Sequence, residues 1–377
     1  MFELIKDLDP LETIEKSAKK WEEAANVKFE FYISDKKAVS LSDPDGVNLI
    51  TISPIPENLE FLGKNLSVIP AKTKLFYNRN QIVEADIVLN PYVQFSSDGR
   101  FGTFDLETII LHEMGHLLGL KHVFANGSIM NPNLPKNGVY GISQIFLRNL
   151  AQSDISQIRA LYGTVSESCC AIFKGRISVK NEKGFLLQIW LEEKETGRVE
   201  ALAPTDSSGS FIIGGIRTGT YKVFVQGTKR NKRIAKELGL VSLEANNTYT
   251  FEKAVYAYKI KQPYPEYLGF NGQIAKTAIG ISAGRNYLLY IAGKSFLTEK
   301  IKVSTNSPYL RVIPETFSIH AFDDEIQAIS FGVEADSNLP AGEYSLIFEN
   351  ENGEKTFFVA ALISNLQTEV PQNFFIF

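Results

Sequence analysis

The segment His112–His122 reads HEMGHLLGLKH, and it constrains the fold of this chain more than any other. It carries three of the four histidines in 377 residues, and it continues an apolar run that begins after Asp105. Asp105 can cap a helix from Leu106 to about Leu118, in which apolar residues cover most of the circumference. The sequence therefore predicts a helix in the interior of a domain, with histidines along it.

Two of these histidines share one face of the predicted helix. His112 and His116 are four positions apart, so they project from the same side and can bind one tetrahedral metal through ring nitrogens. His122 is six positions further on, and a continuous helix would swing it about 240° away. The helix must therefore end first. Gly119 suits that end, because glycine accepts the left-handed conformation without steric cost.

Three neutral ligands leave one position of a tetrahedral zinc open, which is typical of a catalytic site. Water bound there would have its pKa lowered to about 7. Glu113 lies about 100° round the helix from His112, near enough to take that proton as general base and return it as general acid. A bare HExxH pattern also arises by chance in helices. The full pattern fixes five positions, and it predicts one catalytic zinc bound by His112, His116 and His122.

Residues 1–163 mix helical and strand patterns. A helix capped by Asp9 is predicted to extend to about Ala25, and a later helix, capped by Ser153, is predicted to end at Tyr162. Strands are predicted at four alternating or β-rich segments: Val27–Ile33, Val47–Ile52, Lys74–Tyr77 and Ile82–Leu89.

Helical periodicity disappears beyond about residue 172. Short β-branched and aromatic runs then alternate with turn signals, as in SGSFIIGGI and GEYSLIFENENGEKTFFVA, and the length fits two β-sandwiches joined near 257–265. The chain is therefore predicted to be multidomain. The predicted parts are an α+β domain with a mixed sheet and three helices at 1–165, a β-sandwich at 166–258, and a second β-sandwich with a C-terminal tail at 259–377.

Composition restricts the partners of the chain. The net charge of −4 comes without any basic block, so nucleic acid is not an expected partner. No apolar run reaches the ~18 residues of a membrane-spanning helix. The start, MFELIKDLDP, lacks the features of a signal peptide, which leaves open a cytosolic protein or a trimmed chain. The adjacent Cys169 and Cys170 predict neither an ordinary disulfide framework nor a metal site.

The segment His112–His122 resembles the zinc-binding motif of the metzincin metalloproteases. The second signature of that family is a methionine-containing turn, and Ser128-Ile129-Met130-Asn131-Pro132 is similar to it. The resemblance implies that Met130 packs beneath the metal without ligating it. Astacins and serralysins carry a tyrosine ligand shortly after this methionine, so the Asn131-Pro132 found here does not fit those branches.

Among metzincins, the sequence is most similar to the matrixins, particularly their bacterial relatives, over about residues 1–163. The resemblance implies that Glu84–Asn90 forms an edge strand that binds extended substrate, with Ile87, Val88, Leu89 and Asn90 as candidate contacts. It also implies a substrate pocket behind the methionine turn, shaped by residues 133–149. The activity it implies is hydrolysis of peptide bonds in protein or peptide substrates.

Some matrixin features are missing or incomplete here. A second, structural zinc is not expected, since the remaining histidine, His320, lies far outside the domain and is interpreted as a structural or surface residue. Asp86 matches a calcium ligand of the family, but the glycine-rich loop that should accompany it is missing, so calcium is left open. No cysteine precedes the domain, so a cysteine-switch propeptide is not expected, and the first strand of the family must be short, at about Phe2–Ile5, or lost.

The β-rich regions resemble accessory modules. Residues 175–225 resemble a carboxypeptidase-regulatory-like β-sandwich, with a plain spacer as the alternative, and residues 259–366 resemble a generic immunoglobulin-like sandwich. Such modules usually accompany secreted or cell-surface enzymes, which implies that location and a surface or matrix ligand. Two hypotheses follow: a zinc endopeptidase whose residues 1–165 fold and act alone, or a surface binding or adhesion protein whose metalloprotease domain is inactive or incidental.

Overall fold

The computed structural model describes residues 9–64, 66–165, 169–180, 182–261, 263–294 and 301–364. The first strand predicted near Phe2–Ile5 lies outside these residues. The described helices all precede residue 166, and the described chain after it consists of strands and connecting segments. The α-helices are α1 (Pro10–Ala24), α2 (Pro56–Leu62), α3 (Leu106–Leu117) and α4 (Gln152–Tyr162), and two short 3-10 turns occupy Val139–Gly141 and Gln144–Arg148.

Short strands accompany these helices in a mixed sheet, as predicted. They are β1 (Ile50–Thr51), β2 (Ala71–Asn78), β3 (Gln81–Leu89), β4 (Phe95–Ser96) and β5 (Phe104–Asp105). Strand β3 lies between β1, which is parallel to it, and β2, which is antiparallel. Strands β4 and β5 form a separate parallel pair that leads into α3.

Helix α1 forms as its sequence predicts. The Asp9 carboxylate accepts a hydrogen bond from the Glu12 N–H at 3.0 Å, and Pro10 occupies the first turn. The indole ring of Trp21 is fully buried, and its N–H donates to the Leu111 carbonyl of α3 at 3.1 Å. This contact attaches α1 to the helix that carries the histidines.

The predicted strand at 27–33 is wrong. Tyr32 and Ile33 are 84% and 92% exposed, and the Phe29 N–H donates to the side chain of Glu22 in α1 at 2.8 Å instead of to a neighbouring strand. An alternating sequence becomes a strand only where another strand supplies hydrogen bonds. Among the described residues, none pairs with this segment.

Two helix predictions also need correction, because the first region holds four described α-helices and not three. Helix α2 was missed because seven residues are too few to show helical periodicity. Helix α4 begins at Gln152, with Ser153 buried inside it rather than capping it. The carboxylate of Asp154 takes the capping role, because it accepts the Ala151 N–H at 2.9 Å.

The prediction that Glu84–Asn90 forms a free edge strand is wrong as well. Strand β3 is the middle strand, and its side facing away from β2 is covered by β1 and by residues 46–49. The four residues predicted to contact substrate are all buried: Ile87, Val88, Leu89 and Asn90. Alternation within a strand defines its two faces but does not identify its neighbours, and the neighbours decide whether an edge is free.

The second region forms two facing sheets. Its strands are β6 (Ala171–Lys180), β7 (Gln188–Glu193), β8 (Val199–Pro204), β9 (Ser210–Ile216), β10 (Gly219–Lys229), β11 (Lys232–Leu243), β12 (Thr248–Tyr256) and β13 (Tyr258–Lys259). The sheets have the orders β13-β11-β10-β7-β8 and β12-β6-β9, and their apolar side chains pack in one buried cluster. Cys169 and Cys170, just before β6, are bonded to each other, although the sequence predicted no ordinary disulfide.

The third region repeats this two-sheet plan with different strand orders. Its strands are β14 (Tyr267–Phe270), β15 (Gln273–Ala275), β16 (Ile279–Ile281), β17 (Asn286–Lys294), β18 (Lys302–Thr305), β19 (Leu310–Ala321), β20 (Ile326–Ala335), β21 (Gly342–Glu349) and β22 (Lys355–Ser364). The sheet orders are β15-β14-β17-β20-β19 and β16-β22-β21-β18. The predicted boundary at 258/259 falls inside β13, which pairs with β11 of the second region.

The three regions share one hydrophobic core. The buried cluster around α3 includes Met130 from the first region, Trp190 and Phe224 from the second, and Phe357 and Val359 from the third. The ring centroids of Trp190, Phe224 and Phe357 lie 5.2–5.5 Å apart. Burial of one such side chain stabilises the folded state by roughly 1.5–3 kcal/mol. The junction therefore argues against the expectation that residues 1–165 fold and act alone.

Glu343 joins the third region to the start of α4. Its carboxylate accepts the Gln152 N–H at 2.9 Å, and its second oxygen has no hydrogen-bond partner among the described residues. Burial, assisted by the charges of Asp154 and Glu200, raises the pKa of Glu343 to about 8. The carboxyl group therefore holds its proton at neutral pH in the folded chain.

This burial predicts a specific pH dependence of stability. The raised pKa of Glu343 contributes stability that is full below pH 4.5, its ordinary pKa, and is lost as the pH rises through about 8. Between pH 6 and 8, the free energy of unfolding should fall by about 2 kcal/mol more in wild type than in Glu343→Gln, measured by denaturant titration. Glu325→Gln, at an exposed ion pair with Lys294, should behave as wild type. Equal pH slopes for wild type and Glu343→Gln would exclude Glu343 as the cause.

Candidate metal centre

Helix α3 presents the first two histidines from the interior of the first region. Its N-terminus is capped by the buried Asp105, whose carboxylate accepts the Thr108 N–H at 3.0 Å. Arg148 pairs with the same carboxylate through two nitrogens, at 2.6 and 3.0 Å. This paired cap holds the start of the helix, and His112 lies two turns further along the buried stretch.

The three histidines converge as the motif predicts. The Nε2 atom of His122 lies 3.0 Å from that of His116 and 3.3 Å from that of His112. Ligands at roughly 2.0–2.1 Å from a tetrahedral zinc lie about 3.3–3.4 Å apart, so the donor atoms are spaced for one ion. Among the described residues, this is the one group of three or more such side chains close enough to hold a metal ion.

The orientation of the rings favours metal binding through Nε2. The Nδ1 atom of His112 lies 2.6 Å from the Ile129 carbonyl, and that of His116 lies 2.9 Å from the Leu120 carbonyl. A carbonyl oxygen can only accept, so each Nδ1 carries the hydrogen and each Nε2 keeps a free electron pair. Burial, with a contribution from neighbouring His116, lowers the pKa of His112 to about 3 and that of His122 to about 4, so these rings are neutral at physiological pH.

Gly119 ends the helix as predicted. Its φ of +93° lies in the left-handed region, and its N–H donates to the His116 carbonyl at 2.8 Å. The Leu120 N–H then bonds to the Gly115 carbonyl at 2.9 Å, which turns the chain back over the helix. The reversal brings His122 to the face that carries the other two histidines.

Met130 lies fully buried against α3, close to Gly115. A Cβ atom at Gly115 would overlap the Met130 sulfur and would also come within 3.0 Å of the Trp21 ring. Gly115 was not singled out from the sequence. The signal that could have identified it is a glycine inside an otherwise apolar helix, which indicates close approach by another part of the chain.

The carboxylate of Asp154 holds the methionine turn. It accepts hydrogen bonds from the hydroxyl of Ser128 at 2.5 Å and from the N–H groups of Ile129 and Met130 at 2.9 and 3.3 Å. Asp154 is fully buried, and burial raises its pKa to about 6 in spite of these bonds. No role at the site was predicted for Asp154, because it comes 24 positions after Met130.

Glu113 is almost completely buried beside the histidines. Its Oε2 accepts a hydrogen bond from the hydroxyl of Thr73 in β2 at 2.5 Å. Burial raises the pKa of Glu113 to about 7, although the bond to Thr73 opposes that shift. A carboxyl group poised near neutral pH is suited to gaining and losing a proton during a reaction. Thr73 was also missed from the sequence, since nothing local links β2 to α3.

The residues around Asp86 do not form a comparable group. One oxygen of its buried carboxylate accepts the Leu49 N–H at 3.0 Å, and the other has no hydrogen-bond partner among the described residues. His320 lies in β19 of the third region, where its ring contacts Ser330 at 2.7 Å, away from the other histidines. His320 therefore takes no part in the cluster.

Comparison with known proteins agrees with this geometry. Residues 57–163 match the model of the matrixin peptidase family, so the chain carries a matrixin domain there. The chain is 31% identical over 103 residues to matrix metalloproteinase-21 of Cynops pyrrhogaster. It is 47% identical over 60 residues to metalloendoproteinase 1 of Glycine max, and 37% identical over 75 residues to interstitial collagenase of Oryctolagus cuniculus.

These matches concern one part of each protein. They cover 27%, 16% and 19% of this chain, respectively, and 15%, 17% and 14% of the lengths of the three relatives. The family match at residues 57–163 includes the three clustered histidines, and the β-rich regions lie outside it. A zinc site at His112, His116 and His122 fits both the family and the converging ring nitrogens.

The contact between Gly115 and Met130 gives a prediction. Alanine normally stabilises a helix interior relative to glycine by about 1 kcal/mol. Gly115→Ala should instead lower the free energy of unfolding by about 1–3 kcal/mol, because the new methyl group overpacks against the Met130 sulfur. The measurement is denaturant unfolding of both proteins. In a Met130→Ala background, where the sulfur is absent, Gly115→Ala should cost clearly less. An equal cost in both backgrounds would mean that Met130 is not the obstacle.

Proposed function

We propose that this chain is a zinc endopeptidase that hydrolyses peptide bonds in protein or peptide substrates. The observation that carries the proposal is the convergence of three Nε2 atoms while carbonyl oxygens occupy the Nδ1 sides of His112 and His116. The matrixin domain at residues 57–163 supports the same activity. In this proposal His112, His116 and His122 hold the zinc, Gly119 returns the third ligand to it, and Met130 packs beneath the ligand group.

The zinc, when bound, supplies Lewis acidity that activates water and polarises a carbonyl group. The remaining work falls to side chains of this chain. Glu113 takes a proton from the attacking water and returns it to the leaving amine, and its raised pKa makes both transfers accessible near neutral pH. Thr73 donates a hydrogen bond to Oε2 of Glu113 and so orients its carboxyl group.

The substrate pocket is proposed to lie along residues 133–149, after the methionine turn. This segment is anchored at Tyr140, whose ring is buried in the core of the third region. Its hydroxyl donates to the carbonyls of Leu268 and Thr277, at 3.1 and 3.3 Å. The proposed pocket wall is thus supported by a β-rich region and not by the matrixin domain alone.

The alternative of a binding or adhesion protein with an inactive metalloprotease domain has less support. Glu113, the residue such a protein could lose, is present, buried and hydrogen-bonded beside the histidines. Secretion or display at a cell surface remains a proposal that rests on the resemblance of the β-rich regions to accessory modules. Within the described part of the chain, none of the helices combines the length and apolar character of a membrane-crossing helix.

Two variants distinguish the proposed role of Glu113 from that of the histidines. Glu113→Ala should keep one zinc per chain but lose about 10²–10⁴-fold in cleavage rate, because it removes proton transfer and leaves three imidazoles in place. His116→Ala should lose the zinc, because two ligands do not hold a catalytic ion. The measurements are zinc content by elemental analysis and the cleavage rate of one fluorogenic peptide.

His320→Ala provides the control, since it removes a histidine that lies outside the cluster. It should keep both zinc and activity. Cleavage by Glu113→Ala within about threefold of wild type would contradict the role of Glu113, because a general base contributes far more. Loss of zinc from Glu113→Ala would instead make Glu113 a ligand or an orienting group.

A further inference from the structure

The third histidine of the cluster is held differently from the first two. His112 and His116 are fixed by α3, whereas His122 follows the end of the helix on a segment without regular secondary structure. The position of its ring depends on the backbone around residues 120–126. Metal ligands need their supporting contacts within small tolerances, so whatever holds this segment also sets the affinity of the site.

A side chain of the second region holds the backbone just after His122. Gln188, the first residue of β7, has its Oε1 2.8 Å from the N–H of Phe124 and its Nε2 3.2 Å from the Phe124 carbonyl. One amide group therefore satisfies both polar backbone groups of Phe124. The next residue, Ala125, forms an isolated parallel bridge with Val359 of β22 in the third region.

Burial does not hold Phe124 in place, since this residue is 70% exposed. Gln188, in contrast, is only 8% exposed, and its pairing with Gln226 of β10 holds it within a five-stranded sheet. A buried amide of the second region thus holds Phe124, next to the bridge that joins Ala125 to the third region. The neighbouring Val123 bonds to the Met130 carbonyl at 3.1 Å, and Asn126 bonds to the Val359 carbonyl of the third region at 2.8 Å.

We propose that Gln188 is a positioning residue for His122, so that retention of the metal depends on docking of the second region against the first. The inference rests on the proposed zinc site, and it adds a residue outside the matrixin match, which ends at residue 163. The clamp acts through the Phe124 backbone, two residues after the ligand. Without it, the His122 ring samples positions away from the other two Nε2 atoms, and the ion leaves faster.

The test measures zinc release from the full chain after transfer into excess chelating indicator. Gln188→Leu keeps the size of the side chain but removes both hydrogen bonds to Phe124. Loss of a contact that orients a metal ligand typically weakens metal binding by about 10–100-fold. Zinc release from Gln188→Leu should therefore be at least about tenfold faster than from wild type. Gln188→Asn, which keeps the amide but shortens its reach, should also release zinc faster, and it serves if the leucine variant does not fold.

Gln226→Leu is the matched control. The Gln226 amide bonds to both polar groups of the Phe357 backbone in the third region, at 2.8 and 3.0 Å, and its Oε1 also accepts a hydrogen bond from Arg233 at 2.9 Å. None of these bonds involves residues 122–126. Gln226→Leu should leave zinc release within about twofold of wild type, well short of the effect of a ligand-orienting contact. The visible absorption of the cobalt-loaded proteins adds a readout of ligand geometry. It should change in Gln188→Leu and stay unchanged in Gln226→Leu.

The outcomes separate this inference from the proposed function. A wild-type chain that binds no zinc would contradict the proposed function itself. A wild type that binds zinc, together with Gln188 variants that release it at the wild-type rate, would overturn the positioning role and leave the peptidase proposal standing. Equal acceleration in Gln188→Leu and Gln226→Leu would also overturn it, because the cause would then be loosened docking in general.

Discussion

The buried carboxylate of Asp154 is the contact on which the rest of the site depends. It sits in the first turn of α4 and accepts three hydrogen bonds from the methionine turn. The same turn offers the Ile129 carbonyl to Nδ1 of His112. A single buried acid therefore links α4, the turn and the first histidine. Burial of such a group is costly unless it is fully hydrogen-bonded, and the turn must keep its conformation to supply those bonds.

The site is completed from outside the matrixin domain. Gln188 of the second region bonds to the Phe124 backbone. The third region holds Tyr140 in its core, and its Glu343 accepts a hydrogen bond from the start of α4. These contacts surround the segment from the third histidine to α4, which has little regular structure of its own. The β-rich regions therefore contact the segments that carry the site, and the shared hydrophobic core joins all three regions through the aromatic junction.

The sequence predicted several features that local rules decide, although the helix cap predicted at Ser153 is wrong. The cap at Asp9, the extent of α3 and the left-handed Gly119 follow from short-range hydrogen bonding and backbone sterics. The predictions from sequence failed where a residue distant in the chain decides the local structure. The alternating segment 27–33 found no neighbouring strand, and β3 acquired neighbours on both sides. Gly115 and Thr73 gained their roles from Met130 and Glu113, and no local pattern announces either contact.

The sequence by itself determined which three histidines converge, because four-residue spacing on a helix and a glycine at its end leave few ways to arrange them. It also determined that the chain after residue 172 is built from strands. Only the tertiary structure decided how the ligands are held. The Nδ1 partners, the burial that raises the pKa of Glu113, and the clamp on Phe124 all come from residues distant in the chain. Desolvation and hydrogen-bond geometry depend on everything that surrounds a group, and those surroundings exist only once the three regions have packed together.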